Sequence, residues 1–248
     1  MTPPRFTGTE GPTGLLRLSE RGWGYLLAAP AFVLVGLLAL APIMAALWLS
    51  LHRRLPIFGV DEFVGAWNYL QLWSDDRFWA ACRTTLYFTG LSVTAELLLG
   101  FGLAILLDSL TGGRDRSPRW AQVMIILPWA VPTVVSAQIW AWLYQPEYGL
   151  LNYLLLQAGV IDARIDWLAD PDWAIHAAVV MDVWKTTPFA ALLLLAGLKS
   201  VPQDLYAAAR VDGAGAWQRF RRITLPFLMP IVVIVLVFRT MDAVRVFD

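Results

Sequence analysis

The sequence predicts an all-α, polytopic bundle of transmembrane helices, and three observations predict it. Hydrophobic residues make up 58% of the 248-residue chain, a composition outside the range of soluble globular domains. These residues are gathered into runs. No charged residue falls between Gly22 and Leu51, nor between Trp120 and Pro146, and about 20 residues suffice for a helix to cross a bilayer. Basic residues, finally, crowd into alternate connecting segments, although the formal net charge is zero.

A Gly- and Pro-rich tail occupies 1–24, followed by a membrane domain over 25–248. Five crossings are drawn at 25–51, 85–107, 123–143, 174–198 and 227–246. With the tail inside, the inner segments hold Arg5, Arg17 and Arg21, then Arg114, Arg116 and Arg119, then Lys199, Arg210, Arg219, Arg221 and Arg222. The outer segments hold only Arg53, Arg54, Arg77, Arg83 and Arg164, so the positive-inside bias places the N-terminus in the cytoplasm. Trp23, Tyr25, Trp48, Trp120, Trp142, Tyr144 and Trp173 sit near the span ends, as interfacial aromatics do. Pro30, Pro42, Pro128, Pro132 and Pro188 predict kinks, tolerated where neighbouring helices satisfy the freed carbonyls. The outer segment 144–173 is acidic and long enough for a short amphipathic helix near 150–158. The fifth crossing heads outward and stops at Asp248, which leads to the expectation of a sixth helix in a working subunit.

Between the fourth and fifth crossings, the loop 199–226 is polar and basic. Ser200 is expected to cap a helix with Pro202 in its first turn and Asp204 near the positive end of its dipole. Ala207, Ala208 and Ala209 give that helix a smooth surface. Gly213 and Gly215 end it, and Trp217 and Phe220 anchor the second arm. A bland alternative is an ordinary inner loop whose Arg219, Arg221 and Arg222 meet lipid phosphates.

The spacing of Ala208, Ala209, Gly213, Ile223, Leu225 and Pro226 resembles the EAA loop of ABC-importer permeases. Ala207 stands where that pattern has Glu, and Asp204 or Asp212 is the candidate substitute acid. The resemblance extends to WNYLQLW, ILPWAVP, YQPEYGLLN, DVWKTTPF and FRTMDAVRVFD, which are similar to the maltose-permease type of carbohydrate importer. It implies one of two permease subunits, coupled through the loop to two copies of an ABC ATPase that carry ATP and magnesium. It implies as well an extracytoplasmic sugar-binding protein, and residence in a bacterial or archaeal cytoplasmic membrane. This chain has no G-x-x-x-x-G-K-[ST] motif, no paired His or Cys at zinc-ligand spacing, and a single cysteine, Cys82. No cofactor or metal of its own is expected, and nucleic-acid binding is not suggested.

Polar groups inside spans are costly in lipid and are expected to face protein or water. Asp182 and Lys185 lie three apart and are candidates to pair; Trp184, Thr186 and Thr187 flank them as an aromatic and hydroxyl surface suited to a sugar. The equal alternative is a helix-packing salt bridge. Gln138 and Trp140 are further pathway candidates, with helix packing the commoner role for such residues. Arg239, Asp242, Arg245 and Asp248 recur along one stripe of the last span. The charge-free run before Arg239 is only about 24 Å long against a hydrocarbon core of about 30 Å. Arg239 must therefore face protein, with Glu96 as the expected partner, and a structural role for the stripe is favoured over substrate contact. The function read from all this is an alternating-access sugar permease that makes and breaks no bond. The alternatives are an importer subunit for another solute such as glycerol phosphate, or a secondary transporter.

Overall fold

In a computed structural model, residues 20–110 and 119–246 are described. Arg5, Arg17, Arg114, Arg116, Asp248 and nearly all of the tail 1–24 lie outside them. The chain divides into two compact units, Met1–Phe78 and Trp79–Asp248.

In the first unit, α1 (Glu20–Val35) and α2 (Ala41–Ser50) are joined by a π-helical turn, Gly36–Leu40, into an apolar helix over Arg21–Ser50. Pro42 explains the wide turn: it has no N–H to give and its ring presses on the carbonyl four residues back. Pro30, by contrast, lies inside α1. An antiparallel hairpin follows, β1 (His52–Leu55) pairing with β2 (Val60–Phe63) around a 3-10 turn at Pro56–Phe58. Helix α3 (Trp67–Trp73) holds the base of this hairpin. Asn68 Nδ2 donates to the carbonyls of Ser50 at 2.8 Å and His52 at 3.0 Å. Neither the hairpin nor α3 was read from the sequence.

Helix α4 (Asp76–Ser109) comes next in the chain. The second unit continues with α5 (Arg119–Ala130), α6 (Thr133–Leu143), α7 (Leu150–Gln157), α8 (Pro171–Ser200), α9 (Gln203–Val211), α10 (Ala216–Arg219) and α11 (Leu225–Val244). Helices α4, α8 and the stretch Ala216–Val244 are each long and apolar enough to cross a membrane. The third predicted crossing is not one rod. Its halves α5 and α6 meet at 88°, because Pro132 removes a helical N–H and pushes Val131 out of the helical region. The fifth begins earlier than expected: α10, a π-helical turn at Phe220–Thr224 and α11 form one helical stretch. That turn again precedes a proline, Pro226.

The inner core joins Ala104 and Leu107 of α4, Ala121 of α5, Leu194, Leu195 and Leu198 of α8, Val201, and Leu228 of α11. A second cluster gathers Phe88, Val93, Val179, Val183 and Ala243. Small residues let these helices approach. A Cβ on Gly100 would come within 3.0 Å of the Ala190 Cβ, and one on Gly197 would collide with Ile231.

The acidic segment 144–173 is organised by Asn152, which is 2% exposed. Its Nδ2 donates to the carbonyls of Pro146 and Ile165, and its Oδ1 accepts from Ile165 N and Trp167 Nε1. Tyr144 lies beside it, buried, with its hydroxyl donating to the Ala177 carbonyl at 2.9 Å. Burial pushes this phenol up to about 12.

Candidate translocation cleft and coupling elbow

The bend between α5 and α6 opens a cleft of about 510 Å³ against α8 and α11. Its walls include Trp129, Val131, Lys185, Thr186, Phe189 and Asp242. Trp129 and Phe189 stack at 5.9 Å with their planes 16° apart, giving one apolar face. Lys185 Nζ donates to the Val131 carbonyl at 2.7 Å. This carbonyl lies at the bend, and the ammonium supplies a donor there. An adjoining recess of about 470 Å³ shares Lys185, Thr186 and Asp242 and adds Asp182.

Along one wall of the cleft, with Arg239 and Asp242 in its lining, lies a charge cluster drawn from three helices. Arg239 of α11, 3% exposed, meets Glu96 of α4, which is wholly buried. Its Nε and Nη2 donate to the two Glu96 oxygens at 2.5 and 2.6 Å. Further donations reach Asp182 at 3.1 Å and Asp242 at 2.9 Å. Thr186 Oγ1 lies 2.5 Å from Glu96 Oε1 and 2.6 Å from the Asp182 carbonyl, so its proton is held among them. A buried ion pair persists only with near-complete hydrogen bonding, and the guanidinium fork supplies it.

The Glu96–Arg239 pairing matches the sequence expectation. The pairing of Asp182 with Lys185 does not form, since each has a different partner across the bundle. A single-helix reading sees i,i+3 neighbours but not the helix packed opposite. Other sequence-selected residues separate. Lys185, Thr186 and Asp242 line the cleft, and Asp182 the recess. Trp184 packs edge-on against Trp140 at 5.7 Å, and neither residue lines the cleft. Gln138 is exposed on α6 and Thr187 is buried; neither lines it. Trp129 and Phe189 were not singled out, although both fall inside motifs already noticed, ILPWAVP and DVWKTTPF.

Beyond α8, Val201 and Pro202 lead into α9. Pro202, not Ser200, is the residue before its first turn, and the Ser200 hydroxyl donates back to the Gly197 carbonyl at 2.7 Å. Pro202 itself brings no side-chain cap, so the Ser200 cap expected from sequence is not made. Helix α9 has no buried residue. Leu205, Ala208 and Val211 form one exposed stripe; Asp204, Ala207 and Asp212 are also exposed, and Ala209 is half-buried. Gly213 ends the helix with φ +76°. Ala214 N donates to the Ala209 carbonyl and Gly213 N to the Arg210 carbonyl, the pairing of a Schellman stop that favours glycine at this place. Arg219 Nη1 then closes on the Ala214 carbonyl at 2.6 Å. Ile223 packs on the inner core, and Leu225 and Pro226 open α11.

A family model described as a binding-protein-dependent transport system inner membrane component matches residues 96–247, which takes in the charge cluster, the cleft and the elbow. The chain belongs to this family. It is thus a multi-pass inner-membrane permease subunit of the ABC-importer type, and translocation rather than catalysis is its role. The trehalose/maltose transport system permease protein MalF of Thermococcus litoralis is 42% identical over 236 residues, covering 95% of this chain and 78% of that protein. The trehalose transport system permease protein SugA of Mycobacterium tuberculosis is 38% identical, covering 94% and 73%. Among solved structures, a bacterial ABC transporter involved in the import of the acidic polysaccharide alginate superimposes with a TM-score of 0.72 at 25% identity, covering 92% of this chain and 75% of that one. The same kind of transporter in complex with an alginate pentasaccharide-bound periplasmic protein gives 0.67 at 28% identity, covering 89% and 72%.

Proposed function

We propose that this permease forms half of the pathway of an ATP-driven sugar importer, with a second permease subunit forming the other half. Helix α9 is the element that receives force. The observation that carries the reading is that α9, placed between two crossings at the family spacing, presents Leu205, Ala208 and Val211 to solvent. A short helix with one exposed apolar stripe fits a groove on another protein. Two copies of an ABC ATPase holding ATP and magnesium supply that groove. The basic inner segments favour an N-terminus and an elbow on the cytoplasmic side, where such an ATPase resides, and an extracytoplasmic binding protein delivers the solute from the other side.

A sugar suits the cleft chemically. Stacked Trp129 and Phe189 offer an apolar face for a pyranose ring, while Lys185, Thr186 and Asp242 offer hydrogen-bonding groups for hydroxyls. The names of the relatives support trehalose or maltose as the solute class. ATP binding closes the ATPases, draws α9 with them and reorients the spans, so the two states differ in real contacts.

The test is uptake of labelled trehalose and maltose into proteoliposomes carrying the reconstituted complex and its binding protein. Accumulation that requires ATP supports the reading. Accumulation driven by an ion gradient with no ATPase present contradicts it and favours a secondary transporter. ATP-dependent uptake of glycerol phosphate in place of either sugar would redirect the solute class alone.

A further inference from the structure

Helix α9 is joined to the bundle at few points for an element that has to transmit force. On one side it is joined through Val201, buried in the inner core, and Pro202, whose ring interrupts helix continuity. On the other it is joined through Gly213, Ala214 and Gly215, and nothing lies within 4 Å of where a Cβ would stand on either glycine. Glycine at both places leaves the backbone there without a side chain, and the turn's own bonds, from Gly213 N to the Arg210 carbonyl and from Ala214 N to the Ala209 carbonyl, reach only the end of α9. Beneath α9 is a cavity of about 310 Å³ whose lining includes Ile105, Gln203, Tyr206, Phe220 and Thr224, so the helix is not packed flat on the bundle.

The Tyr206 side chain spans this space. The Tyr206 ring packs against the inner cluster beside Ile223, and its hydroxyl lies 2.8 Å from Thr224 Oγ1. Thr224 is 7% exposed and closes the π-helical turn that opens into α11. The bond therefore links the middle of the elbow directly to the base of the last crossing, 18 residues along the chain.

We propose that the Tyr206–Thr224 hydrogen bond is the strut that makes α9 and α11 move as one body, so that both are positioning residues for energy coupling. This rests on the reading of α9 as the ATPase-docking helix. With the strut in place, a displacement of α9 is delivered to the helix that carries Arg239 and Asp242 at the cleft. Without it, the glycine turn absorbs the displacement and hydrolysis continues with little transport.

The experiment compares Tyr206→Phe, Thr224→Val, Thr224→Ser and the Phe/Val double variant in the full reconstituted complex, with trehalose as probe and transported trehalose per ATP hydrolysed as readout. Each single variant that removes the bond is expected to lower that ratio roughly fivefold, the worth of one hydrogen bond. The double variant is expected to be no worse than either single, as a shared interaction requires, and Thr224→Ser is expected to keep the wild-type ratio. A wild-type ratio in both Tyr206→Phe and Thr224→Val overturns the strut. So does a fall that merely tracks loss of assembled complex on gel filtration, because that marks a packing role only. A separate control uses Cys82→Ser with Ala208→Cys and a cysteine in the ATPase groove. If no cross-link forms, the docking reading itself fails; if one forms while the Tyr206→Phe ratio stays wild-type, the strut alone fails.

Discussion

Replacing Arg239 with Met removes a cation bonded to three carboxylates, and the consequences can be ranked from the geometry. Arg239 donates four hydrogen bonds, two of them to a Glu96 that is wholly buried. With Met in its place Glu96 must either stay charged without a counter-ion or take up a proton. Breaking a buried pair in this way costs about 3–5 kcal/mol. Glu96→Gln keeps an oxygen toward the guanidinium and loses one charge, so its cost is lower, about 1.5–3 kcal/mol. Asp242 has a side chain 72% exposed, and Asp242→Asn costs less than about 1 kcal/mol. At roughly 2–4 °C per kcal/mol for a chain of this size, Arg239→Met lowers the unfolding midpoint in detergent by about 10 °C. Fluorescence-detected size exclusion after a heating series reads this directly. An Arg239→Met midpoint within 2 °C of wild type, taken against that slope, would refute the reasoning, as would Asp242→Asn proving the worst of the three.

Gly213→Ala places a Cβ at φ +76° and costs about 1–2 kcal/mol. Faster proteolysis at the turn after α9 should reveal the strain, with a fall of about 2–8 °C in the melting point at the same slope. Asn152→Leu strips partners from Pro146, Ile165 and the Trp167 indole; a loss of about 3 kcal/mol is expected, visible as hydrogen exchange in 146–167 well before global unfolding. Tyr144→Phe costs about 1 kcal/mol, and the pH dependence has a definite sign. The unfolded phenol ionises near 10 and the buried one near 12, so the native state loses stability as pH rises through that window. Denaturant titrations at pH 8 to 12 should show this fall in wild type and its absence in Tyr144→Phe.

The crossings were legible because apolar runs and charge-free stretches follow directly from the bilayer's thickness. The elbow was legible because Ala-rich helix, glycine stop and Ile-x-Leu-Pro tail occupy fixed spacings, and Gly213 does adopt the positive φ that only such spacing hinted at. The Arg239–Glu96 pair was legible from depth alone, since a cation stranded in lipid demands a partner. The partner of Lys185 was not legible. A carbonyl freed by a proline bend has no signature of its own, and the donor that reaches it sits 54 positions away along the chain. The hairpin at 52–63 was missed because HRRL and VDEF carry no clear apolar alternation. Asn152 passed unnoticed because a lone amide in an apolar stretch looks the same in sequence whether it organises a loop or faces water.

If the exposed small-residue helix α9 couples this permease to an ATP-driven partner, a charged bulk on its stripe must break that coupling. Ala208→Lys, in a complex that assembles normally, is predicted to abolish ATP-driven trehalose accumulation while leaving trehalose binding by the binding protein intact. Accumulation at the wild-type rate in that variant would contradict the account.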